Sequence, residues 1–146
     1  MEIEGKVLII DDDVDFQFMV GSMLRSSGYI VKSLLEGKLH TTLNLASECD
    51  VILLDIELPG MNGVDLGKRL KATPATANIP ILLVSGHNKC EALFIESEAN
   101  AFFQKPFSLS GLMSKIQELI SRRKDLNLDK GLRGIPPASD QNAAHI

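Results

Sequence analysis

Hydrophobic residues gather in short continuous runs along this chain, and polar stretches separate one run from the next. Four such runs lie at residues 7–10, 51–54, 81–84 and 101–103. A run without polar alternation is typical of a strand that is buried on both faces of a parallel sheet. A fifth run, at residues 29–35, contains Lys32 and Ser33, which favours a position at the edge of the sheet.

Between these runs, apolar residues recur at helical spacing. The first helix is expected after Asp13 or Asp15, either of which can cap it, and before Gly28, which suits the position after a helix end. The last predicted helix shows the clearest apolar stripe, and Lys124 closes it with the charge that a helix C-terminus favours. The later predicted helices lie at residues 39–46, 63–71, 89–99 and 108–124.

Strands and helices therefore alternate along the chain. This order predicts an α/β fold, a doubly wound five-stranded parallel sheet with right-handed crossovers and helices on both faces. In such sheets the functional site lies beyond the carboxyl ends of the strands. After residue 124 the apolar pattern stops, and glycines and prolines precede a polar end. We therefore expect one domain at residues 1–124, and a flexible tail or the start of a linker at residues 125–146.

The composition narrows the function classes. A formal net charge of -4 argues against direct binding of nucleic acid, because phosphate backbones are bound by clustered Lys and Arg. No segment has the ~18 consecutive apolar residues of a membrane span. The start lacks the pattern of a signal peptide, so we expect a cytoplasmic protein. Cys49 and Cys90 form no CxxC pair, which favours buried thiols over a redox role.

Polar residues follow four of the predicted strands, at the edge where a doubly wound sheet places its chemistry. They are Asp11, Asp12, Asp13, Asp55, Ser85 and Lys105. Each is unremarkable by itself, since an aspartate after a strand often caps a helix. As a set, however, carboxylates that converge from adjacent strands repel one another unless a cation lies among them, and oxygen ligands suit Mg²⁺. A carboxylate beside that cation, with a hydroxyl and an ammonium nearby, is equipped to attack phosphorus.

The sequence resembles the response-regulator receiver family of two-component signal transduction. The matching segments are VLIIDDD, VILLDIELPGMNG, IPILLVSG and AFFQKPF, in the family's order, and together they cover residues 6–122. The resemblance implies a flavodoxin-like strand order 2-1-3-4-5. It also implies a phosphoacceptor switch that catalyses its own phosphorylation and dephosphorylation, rather than an enzyme that acts on other substrates.

The resemblance also implies a metal site. Asp55 would be the phosphoacceptor and would take a phosphoryl group from a phosphohistidine, with Mg²⁺ beside it. Asp12 would bind the metal directly, Asp11 mainly through water, and Glu57 through its backbone carbonyl. Asp13 has no fixed role in the family, and we expect it to cap a helix or to contribute to the local field.

The same resemblance implies how the signal leaves the site. Ser85 matches the hydroxyl position and Lys105 the lysine that holds the phosphoryl group, in the family through a cis bond to Pro106. Ser85 and Phe102, which replaces a frequent tyrosine, would form the switch that reshapes the surface of helix 4, strand 5 and helix 5. His87 lies at a position where the family varies.

The implied partners are a sensor histidine kinase or a histidine phosphotransfer protein, and a downstream protein target or output domain. A phosphorylation-dependent homodimer stays open. A pseudo-receiver that serves only as a docking module, and an N-terminal fragment of a larger multidomain regulator, also stay open as alternatives.

Two other classes fit less well. A phosphatase of the haloacid dehalogenase type needs a second aspartate where this chain has Glu57, and it needs a cap segment. A flavin-binding electron carrier needs a phosphate loop after the first strand, where residues 11–13 would repel phosphate.

Overall fold

The computed structural model describes residues 2–86, 90–105 and 107–133, with the backbone alone for Cys90 and residues 128–133. Its elements follow one another as β1 (Gly5–Ile10), α1 (Val14–Ser26), β2 (Tyr29–Leu34), α2 (Leu39–Ala46), β3 (Val51–Leu54), α3 (Gly63–Ala72), β4 (Ile81–Ser85), α4 (Cys90–Ser97), β5 (Ala101–Gln104) and α5 (Leu109–Arg133). The five strands form one parallel sheet in the order β2-β1-β3-β4-β5, which confirms the predicted fold class and topology.

The sheet separates two hydrophobic clusters because successive strand residues point to opposite faces. Val7, Val51 and Leu82 pack with α1 and α5 on one face. Leu8 and Ile52 pack with α2, α3 and α4 on the other. The three central strands are therefore buried on both faces, as their continuous apolar runs predict.

The ends of α1 are set by local hydrogen bonds. The Asp13 side chain accepts a hydrogen bond from the backbone N–H of Phe16 at 3.1 Å, so Asp13 rather than Asp15 is the N-cap. Gly28 follows the C-cap Ser27 with φ of 97°, in the left-handed region that glycine adopts without steric cost. The predicted capping role of Asp13 and the predicted place of Gly28 are confirmed.

Three details differ from the expectations. The strand at residues 101–103 is not buried on both faces, because β5 lies at the edge of the sheet and α4 and α5 cover it only in part. Helix α4 ends at Ser97, since Glu98 has φ of 63°. Helix α5 continues past Lys124 to Arg133, so residues 125–133 are helical. The proposed tail stays a prediction for residues 134–146, which lie outside the described residues.

Candidate functional site

The carboxyl ends of four strands bring the predicted site residues together. Asp11 and Asp12 follow β1, Asp55 follows β3, Ser85 ends β4, and Lys105 follows β5. They surround a cleft of about 410 Å³, which is lined by Asp12, Asp55, Glu57, Ser85, Gly86 and Lys105. Asp11 lies behind this lining, where it is 1% exposed. The topology thus collects residues that are far apart in sequence, as the parallel sheet predicts.

Three carboxylates in this cleft lie close enough to share one cation. Asp11, Asp12 and Asp55 each offer an oxygen, and these oxygens lie within 4.8 Å of one another. Asp11 and Asp55 are buried, whereas Asp12 is exposed, so ligand positions on the Asp12 side open to water. Hard oxygen donors with room for water match the preference of Mg²⁺. The donor set therefore fits the magnesium ion that the sequence predicts.

Asp11 is held by two hydrogen bonds from opposite directions. Its Oδ1 accepts from the backbone N–H of Asp13 at 2.9 Å, and its Oδ2 accepts from the Lys105 ammonium at 2.9 Å. The same ammonium lies 4.3 Å from the centroid of the Phe16 ring, which is a cation–π distance. In this structure Lys105 is thus directed into the cleft by a carboxylate and an aromatic face. Asp11 uses one of its three N–H donors, so the ammonium has capacity for a further acceptor.

The carboxyl group of Asp55 has a perturbed pKa. Burial raises its pKa from the ordinary 3.8 to about 6, and the negative charge of Asp11 adds to this rise. The positive charge of Lys105 and the backbone N–H groups of Ile56 and Glu57 act in the opposite direction. The carboxyl is thus still mainly ionised at neutral pH, but its charge is incompletely compensated. A bound cation would relieve that excess charge.

The loop between β3 and α3 approaches the Asp55 backbone closely. A Cβ at Gly63 would lie 2.0 Å from the Asp55 carbonyl oxygen, so only glycine fits there. The Gly63 N–H donates to the Ile56 carbonyl at 2.8 Å, and the Asn62 side chain caps α3. Sequence reasoning assigned no role to Gly63. The available signal was its place in the segment PGMNG, in the loop between a predicted strand and the next predicted helix.

Ser85 and Phe102 lie on neighbouring strands. Ser85 is buried at the end of β4, and its carbonyl accepts from the Lys105 N–H at 2.9 Å. Phe102 pairs in register with Leu83, two residues before Ser85, and its ring lies 5.0 Å from the ring of Phe94 in α4. Phe102 is therefore in contact with the helix that the predicted switch would have to move.

Several predictions fall elsewhere. His87 and Pro106 lie outside the described residues, so the cis bond that the resemblance implies between Lys105 and Pro106 stays a prediction. Cys49 is buried, and burial followed by the charge of Asp50 raises the pKa of its thiol to about 11, which opposes a redox role. Across the described parts of the chain, every helix is too short or too polar to cross a membrane.

Comparisons with known proteins agree with this geometry. The sequence model of the response regulator receiver domain matches residues 7–117. The DNA-binding dual master transcriptional regulator RpaA of Synechocystis is 29% identical over 80% of this chain and 49% of its own length. The chain spans about half the length of the curated relatives it matches.

Two solved structures extend the likeness to the fold. The chemotaxis response regulator CheY4 of Vibrio cholerae is 25% identical, with a TM-score of 0.71 over 82% of this chain and 99% of its own. The receiver domain of the sensor histidine kinase PA1611 of Pseudomonas aeruginosa has a TM-score of 0.72 at 24% identity. The match covers 80% of this chain and 98% of that receiver domain. The structure of that domain is described with a magnesium ion in its active-site cleft.

Proposed function

The chain belongs to the response regulator receiver domain family, and from that premise we propose that Asp55 is its phosphoacceptor. Receiver domains act in two-component signalling, where phosphorylation of the domain carries the signal. The observation that carries the assignment is the position of Asp55. It lies at the carboxyl end of the central strand β3, in one cleft with Ser85 and Lys105, and close to two further carboxylates.

The proposed reaction is a phosphoryl transfer. A carboxylate oxygen of Asp55 attacks phosphorus, a P–O bond forms, and the P–N bond to the donor histidine breaks as the imidazole leaves. The Lys105 ammonium, 2.9 Å from Asp11, donates to a phosphoryl oxygen and lowers the negative charge there. The Ser85 hydroxyl donates to a second oxygen. Hydrolysis of the acyl phosphate by water then returns the Asp55 carboxylate and inorganic phosphate.

We further propose that Asp11, Asp12 and Asp55 hold Mg²⁺, together with the backbone carbonyl of Glu57. When bound, Mg²⁺ neutralises charge on the transferring group, as metal ions do in phosphoryl transfer generally. The three carboxylates and their mutual distances support this assignment. The exposed position of Asp12 leaves access for water ligands and for the phosphoryl group.

Partners follow from the same assignment. Receiver domains interact with histidine kinases and with output domains. For this chain we propose a sensor histidine kinase or a histidine phosphotransfer protein as the phosphodonor, and a protein target or output domain as the recipient of the signal. RpaA is described as DNA-binding. The net charge of -4 on this chain supports a protein rather than a nucleic acid as its direct partner.

The switch would run from Ser85 to α4. A phosphoryl group adds a charge of about -2 beside Ser85 and draws its hydroxyl towards a phosphoryl oxygen. Because interiors are close-packed, the vacated space is filled, and Phe102 is the large side chain on the neighbouring strand that can move into it. Phe102 contacts Phe94, so its movement would shift α4 and the surface formed by α4, β5 and α5.

The phosphoacceptor is tested by labelling with acetyl phosphate and Mg²⁺. The wild type should gain one phosphoryl group that hydroxylamine removes, as it does from acyl phosphates. Asp55→Asn should gain none. Asp50→Asn is the matched control, because Asp50 precedes the same strand at its other end, and it should label like the wild type. Labelling that persists in Asp55→Asn places the phosphoacceptor elsewhere.

The switch has a separate test. Amide exchange across α4, β5 and α5 should change when beryllofluoride, a phosphoryl mimic, binds the wild type. Ser85→Ala should still label at Asp55 but lose most of that change, since only a differential contact with the two states shifts their populations. An identical exchange response in Ser85→Ala and the wild type would exclude Ser85 as the relay.

A further inference from the structure

A buried glutamine on α1 contacts the backbone that carries the acidic cluster. The Gln17 side chain is 8% exposed. Its Nε2 lies within hydrogen-bonding distance of three main-chain carbonyls, at 3.0 Å from Ile9, 3.1 Å from Asp11 and 3.0 Å from Leu34. These carbonyls belong to the ends of β1 and β2, where regular pairing between the two strands stops.

The hydrogen bonds of Gln17 are unevenly distributed. An amide nitrogen has two hydrogens, so the three carbonyls share them. The Oε1 of the same side chain is buried, and no described residue donates to it. A buried acceptor without a donor costs stability. The side chain is therefore poorly optimised as a contributor to stability, and its evident effect is to gather three carbonyls at one point.

One of these carbonyls belongs to the peptide unit that joins Asp11 to Asp12, so Gln17 contacts the backbone that carries both carboxylates. The Asp11 N–H donates to the Leu34 carbonyl at 3.0 Å, and the Asp11 carbonyl accepts from Gln17. Both backbone groups of Asp11 are therefore fixed to neighbouring elements. Loss of the Gln17 amide would free the carbonyl side of this unit, and with it the direction in which the following residue, Asp12, leaves the strand.

We propose that Gln17 is a positioning residue for the metal site, which sets the Mg²⁺ affinity of Asp11 and Asp12 by fixing the backbone that carries them. The proposal rests on the proposed function of the cleft. A metal ion gains most from ligands that are already in place, and loss of a group that orients ligands typically weakens metal affinity about 10–100-fold. Gln17 acts on backbone rather than on a ligand atom, so the lower end of that range is expected.

The test is calorimetric titration of the full chain with MgCl₂, at a temperature where each variant is folded. Gln17→Met keeps the length of the side chain and removes the amide, and its dissociation constant for Mg²⁺ should rise about tenfold. Thr42→Val is the matched control, because Thr42 is also a buried polar residue whose Oγ1 has no partner among the described residues. Ile116→Val, on the core-facing side of α5, controls for a loss of stability alone. Both controls should bind Mg²⁺ within about twofold of the wild type.

A measurement on the wild type covers the case in which Gln17→Met does not fold. The side-chain amide protons of Gln17 should be protected from exchange, and their NMR signals should shift during the Mg²⁺ titration with the midpoint of the Asp12 amide signal. Signals that do not respond overturn the proposal. It is also overturned if Gln17→Met melts lower but binds Mg²⁺ as tightly as the wild type, or if the controls weaken binding equally. A wild type that binds no Mg²⁺ overturns the proposed metal site itself, which separates the two failures.

Discussion

Strand β3 has an aspartate at each end, and the two residues have different surroundings. Asp50 precedes the strand, and its carboxylate accepts from the Lys6 N–H at 2.8 Å and from Arg123 Nη1 at 2.9 Å. Asp55 follows the strand, where it faces Asp11 and shares the influence of one ammonium with it. At the amino edge of the sheet the Asp50 carboxylate has its own donors, whereas among the described residues of the carboxyl edge the carboxylates outnumber the cations.

A second group of polar residues at the amino edge also has its hydrogen-bond partners within the protein. The Lys71 ammonium donates to Asn100 Oδ1 at 2.8 Å and to the Ile79 carbonyl at 3.0 Å, and the same Asn100 oxygen accepts from the Ile81 N–H at 2.8 Å. Burial lowers the pKa of Lys71. These polar groups complete one another and join α3 to the starts of β4 and β5. Matched polar groups at the amino edge therefore stabilise the fold, while the incompletely compensated carboxylates at the carboxyl edge leave a site for a cation.

The largest expected effect concerns the response to Mg²⁺. Asp12→Ala removes a ligand and should weaken Mg²⁺ binding on the order of 10–100-fold, since one charge-assisted contact is worth roughly 1.5–3 kcal/mol. Asp13→Ala removes the cap of α1 and should lower stability while Mg²⁺ affinity stays near that of the wild type. The dissociation constants come from calorimetry. Equal losses in both variants would break the distinction between ligand and cap.

The next effect is on the stability of the protein without metal. The raised pKa of Asp55 means that the folded state holds its proton more tightly than the unfolded chain does, so stability falls as pH rises from about 4 to above 6. Asp55→Asn does not ionise and escapes this loss. At pH 8 the variant should therefore be more stable than the wild type, by up to roughly 3 kcal/mol, and near pH 3.5 the advantage should vanish.

Urea unfolding in EDTA, at several pH values, measures this difference. Asp50→Asn, at the other end of β3, should show the opposite sign at pH 8, because its carboxylate has donors to lose. If Asp55→Asn is less stable than the wild type at pH 8, the charge at the carboxyl edge is compensated after all.

The smallest effect is expected from the paired charge. Arg123→Met keeps most of the stem that packs against the domain and removes the partner of Asp50. It should lower the free energy of unfolding by about 1 kcal/mol, because both side chains are partly exposed. Labelling by acetyl phosphate should be unchanged. A double-mutant cycle with Asp50→Asn isolates the pair, and a loss of labelling in Arg123→Met would contradict the separation of the two edges.

Much of the fold could be predicted from the sequence because strands that are buried on both faces appear as continuous apolar runs. The runs at β1, β3 and β4 are continuous since both faces of these strands are covered, and the strand-end residues could then be placed at one edge. The edge position of β5 could not be predicted from its apolar run. Its apolar residues pack against helices on both faces, but these helices cover the strand incompletely. The end of α5 could not be predicted, since polar residues such as Asp125, Asn127 and Asp129 interrupt the apolar stripe beyond Lys124.

The candidate site could likewise be predicted only in part from the sequence. The carboxylates, the serine and the lysine could be predicted because each follows a recognisable strand. The Lys105–Asp11 pair, the Phe16 ring beneath that ammonium and the three carbonyls at Gln17 could not. Phe16 and Gln17 look like ordinary residues of an amphipathic helix, and their contacts depend on where α1 packs rather than on any motif.

We expect the carboxylate of Asp55, which follows β3, to receive the phosphoryl group. The most direct measurement reduces the labelled wild-type protein with borohydride, which converts an aspartyl phosphate to homoserine, and locates the change by tandem mass spectrometry. We predict homoserine at position 55 alone, and only after incubation with both acetyl phosphate and Mg²⁺. Homoserine at Asp11, Asp12 or Asp13, or none at Asp55 in a sample whose intact mass shows the added phosphoryl group, would contradict it.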